Sequence, residues 1–108
     1  MYTLHLLSLD CIQQEDLIGK DDIVITVNDQ KIWGLRCSSG ESAVIDKTYS
    51  FKSEAIIHIY EQDDFDSDDF LGEYIVKPGV TPVEVSHLFT YKRAKYRLTF
   101  CLSSDVVL

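Results

Sequence analysis

No segment of this chain of 108 residues repeats its apolar residues with the 3.6-residue period of a surface helix. No apolar run approaches the roughly twenty residues that span a bilayer as a helix. The Met1-Tyr-Thr-Leu-His-Leu-Leu start lacks a basic region followed by a long apolar stretch, so no secretory signal is expected. The expected location is cytoplasmic or peripheral to a membrane. Cysteine is scarce: Cys11, Cys37 and Cys101 are too few and too scattered for a disulfide framework or a zinc site. They read as reduced thiols, with Cys11 and Cys101, each near a strand end, left open as a pair that could meet. Basic residues are few. Ten Lys and Arg face 18 Asp and Glu, a formal net charge of −8. Nucleic acid is disfavoured as a partner, because phosphate binding needs clustered cations. Anionic lipid is disfavoured too, unless a bound cation changes the local sign. No nucleophile–base constellation is visible, so the chain reads as non-enzymatic.

What is present is alternation. Period-2 patterns broken by turn residues predict strands near Thr3–Leu9, Ile23–Val27, Lys31–Leu35, Ala43–Ser50, Ala55–Tyr60, Phe70–Val76, Val83–Leu88 and Lys95–Leu102. Asn28-Asp29 joins two of them over a gap short enough for a tight hairpin. Eight short strands at this spacing predict an all-β protein, a single antiparallel β-sandwich domain over residues 1–108. Parity places Leu4, Leu6, Ile25, Val27, Ile57, Ile59, Leu98 and Phe100 in its core, with Leu7 and Leu9 as the rival face of the first strand. Trp33 beside Gly34 reads as an anchor packed on backbone. His5, His58 and His87, separate and in apolar strand contexts, read as structural. Lys92, Arg93, Lys95 and Arg97 form the one basic cluster, read as charge protecting an edge strand.

The residues that carry chemistry are acidic. From Glu61 to Asp69, six of nine positions are carboxylates: Glu61, Asp63, Asp64, Asp66, Asp68 and Asp69. Clustered like charges raise each other's pKa and destabilise the fold that holds them. A hard cation with oxygen ligands relieves this, and calcium, which takes six to eight oxygens, fits best. A second acidic loop, Asp16-Leu-Ile-Gly19-Lys-Asp-Asp22, lies between the first two strands. Gly19 lets it fold back so that Asp16 and Asp22 can face one point. Loops at one end of a sandwich cluster, so the two acidic loops can converge. The series Asp64-x-Asp66-x-Asp68 is not an EF-hand: its sixth position is Asp69 rather than Gly, and its twelfth is Ile75 rather than Glu. Zinc and copper would want His or Cys, which these loops lack.

The two loops together resemble those of the C2 domain. That family's first loop has the form Asp-x-x-Gly-x-x-Asp-Pro-Tyr-Val, and Asp16-Leu-Ile-Gly19-Lys-Asp-Asp22-Ile-Val-Ile is similar to it without a gap. Its other acidic loop leaves a strand through Asp-x-Asp and closes on Asp, an apolar pair, Gly and Glu. Tyr60-Glu61-Gln62-Asp63 and Asp69-Phe70-Leu71-Gly72-Glu73 stand in those places. The resemblance implies the type II strand order and one or two calcium ions. The implied side-chain ligands are Asp16, Asp22, Glu61, Asp63 and Asp69, with Asp66 as a further candidate and the backbone carbonyls of Glu15 and Gln62 completing the shell. Leu17 and Phe65 fall where membrane-inserting C2 domains carry apolar tips, and Ile18 adjoins them. Glu61 stands where Asp is usual, and no lysine-rich strand is present, which counts against phosphoinositide recognition by such a strand. The implied function is that of a calcium-binding module docking to anionic phospholipid or to a protein. The alternative is a calcium-independent interaction sandwich whose acidic end meets a basic protein.

Overall fold

Alternating burial along each strand builds this molecule. In a computed structural model describing residues 1–62, 68–81 and 83–105, eight strands form in chain order. They are β1 (Tyr2–Gln13), β2 (Asp21–Val27), β3 (Gln30–Cys37), β4 (Ser42–Phe51), β5 (Ala55–Gln62), β6 (Asp69–Val76), β7 (Val85–Tyr91) and β8 (Ala94–Ser104). They pair antiparallel as two four-stranded sheets, in the orders β4-β1-β8-β7 and β3-β2-β5-β6. The eight-stranded sandwich expected from the sequence is therefore the observed fold. Asn28 and Asp29 both take positive φ, 49° and 66°, and make the tight two-residue turn between β2 and β3.

Inward positions run Ile23–Ile25–Val27 on β2, Ala55–Ile57–Ile59 on β5 and Tyr96–Leu98–Phe100 on β8, and all are buried. The ambiguity in the first strand is resolved by a β-bulge. The pairing of β1 with both neighbours shifts register between Leu6 and Ser8. One extra residue reverses the parity, so Leu4 and Leu6 point inward before the bulge and Leu9 and Cys11 after it. Cys11 and Cys101 do not meet: Cys101 lies opposite His5, whereas Cys11 lies in the core beside Cys37. All three thiols are free.

Lys95 and Arg97 of the basic cluster are not on an edge. β8 lies between β1 and β7, so charge there protects no free edge. Arg97 instead pairs with Asp10 at 3.9 Å, and Arg93 Nε donates to the Gln14 carbonyl at 3.2 Å, steadying the start of the first acidic loop. The histidines are structural, as expected: His5 Nε2 lies 2.6 Å from Asp46, His58 Nε2 lies 2.7 Å from Glu73, and His87 stacks on Tyr74 with centroids 4.1 Å apart. Trp33 packs partly buried against the core, while the backbone at Gly34 approaches the Ile23 carbonyl.

Gly72 marks a close approach of the two sheets. A Cβ there would lie 2.7 Å from Phe89 Cδ1. Phe89 is itself buried, so its ring has little room to retreat. Gly72→Ala is expected to destabilise the fold by about 1–3 kcal/mol through overpacking, read as a fall in the denaturation midpoint. An unchanged midpoint would show that the sheets can part there freely.

Candidate metal centre

The strips of inward residues that make the core do not stop at its end; they finish in acids. On β2 the residue before Ile23 on the inner face is Asp21, and on β5 the residue after Ile59 is Glu61. Asp21 is 0% exposed and Glu61 3% exposed, the two buried charged-type residues among those described. Strand alternation thus turns Asp21 inward and Asp22 outward. Asp22 sits on the outer face and pairs with Arg36 at 3.5 Å.

Asp21 organises the first loop. Its Oδ2 accepts from the Glu15 N–H at 2.6 Å and its Oδ1 from the Asp16 N–H at 2.9 Å. The Tyr96 hydroxyl, reaching across from the opposite sheet, also donates to Oδ2. Gly19 takes φ +84°, the reversal expected of it, with open space where a Cβ would stand. Gln14 fills the loop from within: its Nε2 donates to the carbonyls of Asp16 at 2.8 Å and Gly19 at 2.7 Å, and its Oε1 accepts from the Ser39 N–H at 3.0 Å. Sequence reasoning missed Gln14 because an amide in a loop carries no signature until its partners are known.

Two sets of three carboxyl groups come together with one oxygen of each residue within 4.8 Å of the others: Glu15, Glu61 and Asp69, and Asp16, Asp21 and Glu61. Glu61 belongs to both. At that separation each charged pair would repel by roughly 3–4 kcal/mol at an effective dielectric of about 20. Among the described residues no Lys or Arg forms an ion pair with any of the five. The protein answers by holding a proton. Burial, then the neighbouring Asp16 carboxylate, pushes the Glu61 carboxyl up to about 8, and burial followed by a hydrogen bond with Asp16 raises Glu15. Glu61 Oε2 is nonetheless buried with no hydrogen-bond partner among the described residues. Leaving such an atom unsatisfied costs about 1–3 kcal/mol.

Of the expected ligands, the fold brings together Asp16, Glu61 and Asp69, and adds Asp21 and the side chain of Glu15, for which only a backbone carbonyl was expected. Gln62 ends β5 with its side chain exposed, paired across the sheet with Asp22. Asp63, Asp66 and Phe65 lie outside the described residues. Leu17 and Ile18 stand at the tip of the first loop, 80% and 92% exposed. Asp21 was legible in principle: the parity that put Ile25 and Val27 in the core puts Asp21 there as well, whereas the loop spacing drew attention to Asp22.

No protein-family model matches the chain, and no curated protein matches it in sequence. Solved structures do resemble it. A C2 domain overlays with a TM-score of 0.66 at 13% identity, covering 96% of this chain and 100% of that one. A C2 domain of plant Extended Synaptotagmin 1 overlays at 0.54 and 8% identity, covering 98% and 95%. Human GIVD cytosolic phospholipase A2, in complex with a fluorophosphonate inhibitor and terbium chloride, overlays at 0.56 and 15% identity; the match covers 94% of this chain but 17% of that one. At these identities the likeness is one of fold. The chain has the fold of a C2 domain.

Because Glu61 keeps its proton to about pH 8 in the fold, against 4.5 for a free glutamate, the folded state binds an extra proton between those values. Without metal, stability should therefore fall as pH rises from about 4.5 to 8 and level off above. Denaturation midpoints in chelator across this range should show that slope, and Glu61→Gln should flatten it. An equal slope in the variant would assign the proton to another group.

Proposed function

We propose that this chain is a calcium-binding C2-like module that acts by binding rather than by turnover. The observation that carries this reading is the buried Oε2 of Glu61, unpartnered among the described residues and set among four other carboxyl groups that no basic side chain there neutralises. A donor set made only of oxygens suits a hard cation, and a flexible, carboxylate-rich one suits calcium better than magnesium. Glu61 bridges the two carboxyl sets, so the arrangement has room for one ion or two. The likeness to a phospholipase solved with terbium, a trivalent hard cation, is consistent with this. Asp63 and Asp66 are proposed as further ligands from the sequence pattern, together with the carbonyls of Glu15 and Gln62. Asp22 is the weaker candidate, since Arg36 already engages it.

Calcium at a hundred times its Kd should stabilise the fold by about 2.7 kcal/mol, a rise in Tm of roughly 10 °C or more for a domain of this size, reversed by chelator. Asp21→Asn and Glu61→Gln should each remove most of the rise, while Asp22→Asn should keep it. If calcium leaves Tm unchanged in the parent chain, the reading fails, and an acidic docking end for a basic protein takes its place.

The physiological role we propose is calcium-dependent docking to an anionic phospholipid surface, with the protein cytoplasmic or peripheral to the membrane. Exposed Leu17 and Ile18 beside a cation site support it, because apolar tips enter the headgroup region while the ion offsets the negative net charge. Phe65 is proposed as a third tip from the sequence. The protein should co-sediment with phosphatidylserine vesicles in calcium and stay in solution in chelator, and Leu17→Ser with Ile18→Ser should cut the bound fraction severalfold. Calcium binding without co-sedimentation would redirect the role to a protein partner.

A further inference from the structure

Tyr96 stands outside the first acidic loop, among the buried residues of the core, yet its hydroxyl ends on Asp21, the carboxylate that holds that loop and lies beside Glu61. It is 0% exposed and belongs to β8, in the opposite sheet from Asp21. Its only other close polar neighbours among the described residues are thiols: Cys37 Sγ lies 3.9 Å from the hydroxyl, and Cys11 adjoins both. Sulfur is a weak acceptor, so the Tyr96 proton is committed to Asp21.

A carboxylate has about four lone-pair sites. Asp21 uses two on Oδ2, for the Glu15 N–H and Tyr96, and one on Oδ1, for the Asp16 N–H. One remains, on Oδ1, the oxygen not touched by Tyr96. We propose that Tyr96 is a positioning residue for the cation site: by occupying Oδ2 it limits Asp21 to a single coordinating oxygen and locks the carboxylate's rotation. The inference rests on the calcium reading of the site. It adds that part of the ligand geometry is set from the far side of the sandwich, by a residue that never touches the ion.

The logic is that of an outer-shell donor to a metal ligand, whose loss typically costs 10–100-fold in affinity. Tyr96→Phe keeps the ring and its packing and removes only the donor. By calorimetric titration with calcium chloride, the variant should bind about 10–100-fold more weakly than the parent, while still unfolding cooperatively. In an Asp21→Asn background the same change should cost nothing further, because the carboxylate through which it acts is gone. The difference infrared spectrum on calcium binding should also move: the separation of the carboxylate stretches reports one-oxygen against two-oxygen coordination, and Tyr96→Phe should shift intensity towards the latter.

Should Tyr96→Phe bind calcium within twofold of the parent, with the carboxylate bands unmoved, the positioning role is overturned and the calcium reading stands. Equal, additive losses in the double variant would likewise overturn it, since they would mean a general effect on packing. A parent chain that binds no calcium overturns both readings together. A Tyr96→Phe chain that fails to fold would be replaced by Cys37→Ala, which removes the thiol neighbour and leaves the donor. That variant should retain parental affinity, and a tenfold loss there would count against a role specific to the hydroxyl.

Discussion

A single buried carboxylate, that of Asp21, joins three parts of the molecule. Its backbone belongs to β2, its oxygens hold the first loop through two N–H groups, and its third donor comes from β8 in the opposite sheet. A buried carboxyl with fewer donors would be expensive, because each unsatisfied lone pair in an apolar setting goes uncompensated. With three donors it becomes the fixed point around which Asp16 and Glu61 are arrayed. The rest of the acidic end inherits its geometry from that point.

Glu61 is the counterpart that is left incomplete. It lies on the same inner layer as Asp21, one strand away, but one of its oxygens has no donor among the described residues and the group resists ionisation. The core and the acidic end are one structure: the inward strips of β2 and β5 change from Ile to Asp and from Ile to Glu while the register between these two strands holds from Val27 to Asp22. A cation at that end would replace the last apolar layer, doing with charge what Ile23 and Ile59 do with buried area.

The fold was legible because alternation is a local property. Each of the strand cores from Ile25 to Phe100 could be assigned from two or three neighbours, and Asn28-Asp29 announced its own turn. The site was legible only in outline. Residue types showed where oxygen donors concentrate, but which of Asp21 and Asp22 faces the cluster depends on the register of β2 in its sheet. Gln14 and Tyr96 were hidden for a related reason: Gln14 meets backbone groups of its own folded loop and of Ser39, and Tyr96 meets a residue of the opposite sheet. Alternation puts Arg97 on an exposed face but cannot tell a sheet surface from an edge, because sheet order, unlike strand order, is not local: the last strand in sequence lies inside its sheet, beside the first. The bulge at Leu7 could not be read either, as the leucines on both sides fit a strand in either phase.

That bulge gives β1 the character of a text with a change of reading frame. Before it, even-numbered side chains enter the core; after it, odd-numbered ones do. Flattening the strand without shortening it would deliver Leu9 and Cys11 to solvent and Ser8 and Asp10 to the core. Deleting Leu7 would instead merge the two frames, leaving Leu4, Leu6, Leu9 and Cys11 in one unbroken alternation. The same inward side chains would survive, but the extra twist that a bulge imparts would be gone. The first acidic loop sits downstream of this frame change. Its placement against Glu61 and Asp69 is therefore set in part by one supernumerary residue that contributes nothing to the chemistry.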